Sequence, residues 1–191
     1  MKNFIGFSMI LLCCSYTSNA QKITKGYFPY VLQDSLRWAG YDHFLADTTL
    51  NPMVKADSCY SFALHEYELG QFEQARNLCE LSIGFASDWP EPHILIGKSY
   101  VSGRKLCLNP EPPEKYLKGE ALWVAMDEWE KALQIGDKSG MAEKLIEFYA
   151  QYLPDEAAFK LCYGEKTLTE KNDFFVNCWI QRHTKVRFRK E

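Results

Sequence analysis

Residues 56–85 read ADSCYSFALHEYELGQFEQARNLCELSIGF. Ala56, Cys59, Phe62 and Ala63 fall at helical spacing, Gly70 breaks the run, and Phe72, Ala75, Leu78, Cys79, Ser82 and Phe85 resume it. The stretch predicts two helices joined by a turn short enough to force an antiparallel hairpin. Both halves then recur. Cys59, Phe62, Ala63 and Glu66 return 34 residues later as His93, Ile96, Gly97 and Tyr100, whereas Ala75, Cys79, Ser82 and Phe85 return 50 residues later as Ala125, Trp129, Ala132 and Ile135. A 34-residue period marks a helix–turn–helix repeat. The step from 34 to 50 places 16 extra residues between the helices of the second copy, at about 104–118.

In an antiparallel hairpin, facing residues have a constant sum of numbers. If Ala63 faces Ala75, Cys59 faces Cys79 and Glu66 faces Phe72; if Gly97 faces Ala125, His93 faces Trp129 and Tyr100 faces Leu122. Small residues at each crossing let the backbones approach, and larger ones fill the splayed ends. The second pair is expected over Pro92–Tyr100 and Gly119–Ile135, with Gly136 as its stop. A further helix is expected over Lys138–Tyr152, where Leu145, Phe148, Tyr149 and Tyr152 follow helical spacing to cover the open face of the second pair. The opposite cap is expected at Val31–Ala46, with Leu32, Leu36, Ala39 and Phe44 as its stripe. The tail changes period. Phe174, Phe175 and Val176 precede Thr184, Val186 and Phe188, which alternate with Lys185, Arg187 and Arg189. This predicts a hairpin turning at Gln181-Arg182-His183, with a third strand at Lys166–Thr169.

These positions resemble the tetratricopeptide repeat. The matching points are Gly70, Phe72, Ala75 and Phe85 in the first copy and Gly97, Tyr100, Ala125 and Ala132 in the second, over about 56–137. The departures are Glu66 where an aromatic is usual, Cys59 and His93 at the usual first aromatic, and the insert. The wider arrangement is similar to small exported repeat proteins frequent in Bacteroidetes, through Gly97-Lys98-Ser99-Tyr100, Arg104-Lys105-Leu106-Cys107, the Ala125–Leu133 helix, Cys178-Trp179-Ile180 and Thr184-Lys185-Val186-Arg187. The resemblance implies a mainly α fold: an α-solenoid of about two tetratricopeptide-like antiparallel helix pairs with capping helices, here ending in a small C-terminal β appendage. The expected organisation is a signal peptide at 1–20, an N-terminal segment and cap at 21–55, repeats at 56–159 and a β tail at 160–191.

The chain has 191 residues with a formal net charge of −3, 47% hydrophobic and 15% aromatic, enough for one domain with a real core. So mild a charge argues against nucleic acid, which needs a basic field. Lys2, the short apolar run Phe4–Cys14 and Ser18-Asn19-Ala20 read as an export signal cut before Gln21. The alternative is a lipoprotein anchored through Cys14. No later segment is long and apolar enough to cross a membrane. The expected location is the periplasm or cell envelope, where disulfides persist. Cys59, Cys79, Cys107, Cys162 and Cys178 remain after export, an odd number. Cys59 with Cys79 across the first hairpin, and Cys107 with Cys178 from insert to tail, are the candidate bridges. Cys59 and Cys79 read equally well as two buried thiols, and Cys162 as a substitute in either pair.

No motif carries chemistry. There is no His-Glu-x-x-His pair, no Cys-x-x-Cys, no Gly-x-Ser-x-Gly and no glycine-rich phosphate loop. No catalytic residue, metal ligand or cofactor is assigned, and an enzyme is not expected. His93 reads as a core or rim histidine against Trp129. Asp127, Glu128, Glu130 and Lys131 read as a solvated helix face, and Arg187, Arg189 and Lys190 as a basic strand edge able to meet anionic glycans or lipids. In a helical repeat of this kind the first helix of each pair lines the concave side. That assigns Tyr60, Leu64, Tyr67, Ile94, Lys98 and Val101 as a surface for a peptide or partner protein. The competing occupant is the chain's own Tyr27-Phe28-Pro29-Tyr30. The competing function is a structural subunit of an envelope complex that docks through the insert and the tail. Intact-mass measurement of the exported protein tests the leader: loss of residues 1–20 is expected, and a lipid adduct on Cys14 would replace that reading.

Overall fold

The computed structural model describes residues 44–107, 118–163 and 169–190. The leader, the N-terminal segment through residue 43, the insert at 108–117 and most of the expected third strand lie outside the described residues. Six helices follow one another: α1 (Pro52–Glu68), α2 (Phe72–Phe85), α3 (Pro90–Ser102), α4 (Lys118–Ile135), α5 (Met141–Ala150) and α6 (Glu156–Tyr163). A 3-10 turn at Gly103–Cys107 follows α3, and an antiparallel hairpin, β1 (Asp173–Val176) and β2 (Arg182–Lys185), closes the described chain. Among the described residues no helix is long and apolar enough to cross a membrane.

Local chemistry explains the boundaries. Asn51 Oδ1 accepts the Met53 N–H at 2.8 Å, with Pro52 opening α1, so an otherwise orphaned donor is satisfied. At the other end Gly70 takes φ +77°, and the Gln71 N–H reaches back to Glu66 O at 2.8 Å. Helix α4 stops identically: Gly136 takes φ +104° and the Asp137 N–H reaches Ala132 O at 3.0 Å. Both ends need a residue without a Cβ in the left-handed region. Asp137 then starts α5 from outside it, accepting the Ala142 N–H at 2.9 Å and the Ser139 N–H at 2.8 Å.

The most extensive contacts are α1 with α2 and α3 with α4. Both pairs are antiparallel. Ser82 Oγ donates to Ala56 O at one end of the first pair, and the Tyr67 ring meets Phe72 at the other. In the second pair Trp129 Nε1 donates to Ile94 O at 3.2 Å. Cys59, Phe62, Leu78, Cys79, Ile96, Tyr100, Leu122 and Trp129 form one continuous core. Its third wall is α5, which presents Ala142, Leu145, Ile146 and Tyr149 inward.

The tail departs from the sequence expectation in two ways. Helix α6 spans residues divided there between repeats and tail, and its Phe159 joins Trp123, Val186 and Phe188 in a second core. The hairpin turn is not Gln181–His183; Val176 pairs with Arg182, so residues 177–181 form the loop. The reason is burial, because Trp179 and Ile180 leave the ladder to dock on the first core, with Gln181 at φ +45° taking up the bend. Of the two candidate bridges, Cys107 and Cys178 are disulfide-bonded across 71 residues, while Cys59 and Cys79, both buried, are not bridged to each other. These two serve as small apolar core residues, and burial pushes the Cys79 thiol far above its ordinary value.

Gly97 gives the packing a direct test. A Cβ there would stand 2.3 Å from Trp129 Nε1, so the indole, rather than a bare backbone crossing, demands the glycine. Gly97→Ala is expected to destabilise by about 1–3 kcal/mol through overpacking. Gly84→Ala, with nothing within 4 Å of the new methyl, is expected to stabilise by about 0.5–1 kcal/mol. Equal unfolding midpoints for the two variants would contradict this packing.

Candidate interaction surface

Tyr60, Leu64 and Tyr67 lie at i, i+4 and i+7 of α1 and form one stripe. The two tyrosines are rungs to α3. Tyr60 packs its ring 4.9 Å from that of Trp89, just ahead of α3, and burial pushes its hydroxyl up to about 12. The Tyr67 hydroxyl lies 2.9 Å from Ser102 Oγ, at the end of α3. Between them Leu64 is 38% exposed. On α3, Lys98 is half-exposed, but Ile94 and Val101 are each only 6% exposed and belong to the core. Those two therefore cannot offer side chains to a partner: α3 packs against α1, α2 and α4 and has little free circumference left. The face that remains combines Leu64 and Lys98 with the outer edges of Tyr60 and Tyr67.

Behind this face lies a polar layer. His93 Nδ1 is 2.7 Å from Glu128 Oε2, and Lys131 Nζ donates to Glu128 Oε1 at 2.7 Å. Glu128 is thus not part of a solvated face but is buried. Burial by itself raises its carboxyl; the hydrogen bond from His93, the charge of Lys131 and the Lys131 hydrogen bond outweigh it, and the net shift is downward. His93 keeps the core position expected of it, and its partner is an acid one residue before the expected Trp129.

The basic tail is likewise engaged within the chain. Arg187 is held by Asp127 at 2.6 Å and Glu130 at 2.8 Å, and exchanges backbone contacts with Trp123: Arg187 Nη1 donates to Trp123 O, and Trp123 Nε1 to Arg187 O. Arg182 pairs with Glu80, Lys185 with Asp173, and Arg189 lies 3.9 Å from Asp155. Of the expected basic edge, Arg187 is thus held by acids of this chain, whereas Arg189 and Lys190 are exposed.

Sequence reasoning missed the clamp that seats the tail. Arg76 Nη1 donates to Trp179 O at 2.8 Å and Ile180 O at 3.0 Å, with its guanidinium 5.5 Å from the Trp179 ring centre. Trp179 Nε1 donates to Gly103 O at 3.1 Å, where a Cβ would come within 2.6 Å of the indole. The signal was a lone arginine on the apolar side of α2, and spacing alone does not reveal its carbonyl partners. Also missed was the outward turn of Phe148, on α5, and of Tyr152, in the turn just after it, both exposed.

No family model, curated protein or solved structure matches the chain.

The buried carboxylate makes a pH prediction. A group whose folded pKa is lowered contributes stability above its ordinary value, near 4.5 for Glu128, and loses it as the pH falls through the folded value. Glu128→Gln is expected to cost about 1.5–3 kcal/mol at pH 7, the range for a hydrogen bond to a charged group. Its stability should then decline less than the parent's on acidification below about pH 4.5. Parallel stability–pH curves would remove Glu128 from this role.

Proposed function

We propose that this chain is a non-catalytic protein–protein interaction scaffold of the bacterial cell envelope, built from two tetratricopeptide-like helix pairs, that binds a peptide or partner protein on its α1–α3 face. One observation carries the reading. Two antiparallel pairs follow in succession, and equivalent positions of the 34- and 50-residue copies meet similar neighbours: Cys59 and Cys79 in the first pair, and His93 with the Glu128–Trp129 turn in the second, occupy the core. The Cys107–Cys178 disulfide is compatible with an oxidising compartment and supports export.

The contact residues are Leu64, Lys98 and the edges of Tyr60 and Tyr67. Tyrosine offers a broad apolar body with a polar tip, which suits peptide recognition. The competing reading, docking through the insert and tail, has less support, because Arg182, Lys185, Arg187 and Arg189 are occupied by acids of this chain.

The test is recovery of envelope partners by the tagged full chain carrying Leu64→Ala, Tyr67→Ala and Lys98→Glu together. Loss of the recovered partner by a variant that still folds is expected, with the unfolding midpoint lowered by loss of the Tyr67 contacts to Phe72 and Ser102. Undiminished recovery by the folded triple variant rejects this face.

A further inference from the structure

Tyr67 has two supports within the chain. Its ring packs 5.7 Å from that of Phe72, and its hydroxyl lies 2.9 Å from Ser102 Oγ. Both supports meet the tail at one point, Gly103, which follows Ser102 and ends α3. A Cβ at Gly103 would stand 2.6 Å from the Trp179 indole and 2.9 Å from the Phe72 ring, so both rings close on the same bare backbone. Trp179 Nε1 also donates to Gly103 O at 3.1 Å. One indole from the tail thus braces the ring partner and the hydroxyl partner of Tyr67 together.

The seat of Trp179 is fastened by the bond beside it. Cys178 is joined to Cys107, the last residue of the 3-10 turn that Gly103 begins. The disulfide and the indole hydrogen bond together close one ring through residues 103–107 and 178–179. Cys107 and Cys178 are both half-buried, and the neighbouring Leu106 is 65% exposed, whereas Cys79 is wholly buried. The bonded pair is therefore the one open to an incoming thiolate. A separate hold lies just beyond it. Arg76 Nη1 donates to Trp179 O and Ile180 O, and the Ile180 side chain is buried. Those contacts do not depend on the disulfide.

We propose that the Cys107–Cys178 bond is a redox latch on the α1–α3 face, opened by a dithiol reductant and closed by a disulfide oxidant, with Trp179 as the positioning residue that carries its state to Tyr67. The effect on a partner rests on the α1–α3 reading. In the opening step the thiolate of the dithiol attacks Cys178 Sγ, the Sγ–Sγ bond breaks, and Cys107 leaves as a thiolate that takes a proton. The second sulfur of the reductant then displaces Cys178. Two electrons and two protons pass to this chain, leaving two thiols here and one disulfide on the reductant. Cys178 and the indole of Trp179 then swing from Gly103 while the carbonyls of residues 179 and 180 stay on Arg76. The loop has two arrangements, and the hairpin remains docked in both, so the bond can close again.

Amide hydrogen exchange of the full chain, read by mass spectrometry with dithiothreitol as the reductant, tests the latch. Exchange across residues 66–72 is expected to quicken by at least about 5-fold on reduction, while that of α5 changes by less than about 2-fold. Oxidised glutathione should restore the slow rate. Cys107→Ser/Cys178→Ser should exchange fast in either condition, and Trp179→Ala should do so with the bond intact. Trp179→Phe, which keeps a ring over Gly103, should return the slow rate. Recovery of an envelope partner by the parent should fall on reduction and return on reoxidation. Exchange at 66–72 that ignores reduction, or a rise shared equally by α5, makes the bond a plain staple and overturns the proposal. Fast exchange in Trp179→Phe, or equal partner recovery in both redox states, overturns it as well. If the parent recovers no partner in either state, the α1–α3 reading fails, and the exchange rates still decide the latch.

Discussion

The indole of Trp129 is the joint on which three helices depend. Its N–H is anchored to Ile94 O, its edge fills the space left by Gly97, and its face stacks on Tyr149. The ring thereby fixes the spacing of α3, α4 and α5. The adjacent residue, Glu128, reaches His93 on α3 and so sets the rotation of the same pair. An aromatic of this size brings a large apolar payload together with one donor that must be satisfied, and here both are met by α3. The same indole supports α5, because the outward ring of Phe148, and that of Tyr152 just beyond the helix, continue a chain of ring contacts that begins in the core.

A second set of constraints holds the tail across the array. Arg76 supplies two hydrogen bonds to consecutive carbonyls that the bend at residues 177–181 leaves outside the ladder. A buried guanidinium is costly unless its donors find acceptors. Those carbonyls, Asn77 Oδ1 and the nearby carboxylates of Glu73 and Glu80 provide them. The Cys107–Cys178 bond then removes freedom from the unfolded chain; for a loop of 71 residues the entropic model gives about 4 kcal/mol. The hairpin is too short to stand alone, and two strands in water are marginal at best. It persists because Ile180, Val186 and Phe188 are buried against helices.

The helical part of the fold was legible because it is written locally. Gly70 and Gly136 mark helix ends by the φ they require, and the 34-residue offset between Phe62 and Ile96 exposes the pairing, although α3 begins at Pro90, two residues before the expected Pro92. The Cys107–Cys178 pairing was one of the two bridges drawn, whereas Cys59 and Cys79 are both buried and form no disulfide. What the sequence left unread depends on distant partners. Nothing near Arg187 announces Asp127 and Glu130, and nothing near Glu128 announces His93. The candidate surface was misjudged for a related reason. Spacing places Ile94 and Val101 on the first helix of the second pair, but it does not count how many neighbours that helix has. The stripe on α5 was misread in reverse: Phe148 and Tyr149 are both aromatic, yet one position of rotation sends one outward and the other onto Trp129.

The seating of the tail also sets an order of events during synthesis. Trp123 receives its cover from Val186 and Phe188, and Arg76 its acceptors from residues 179 and 180. Helices α1 to α4 therefore emerge from the ribosome with Arg76 short of its two carbonyl acceptors until residue 180 has followed, and with the Trp123 indole incompletely covered until residue 188 has followed. Contacts separated by 103 residues cannot form earlier, whatever the local propensity of the helices. A chain built this way delays the compaction of its helices until the tail has been synthesised, which leaves the nascent form open to handling by other proteins.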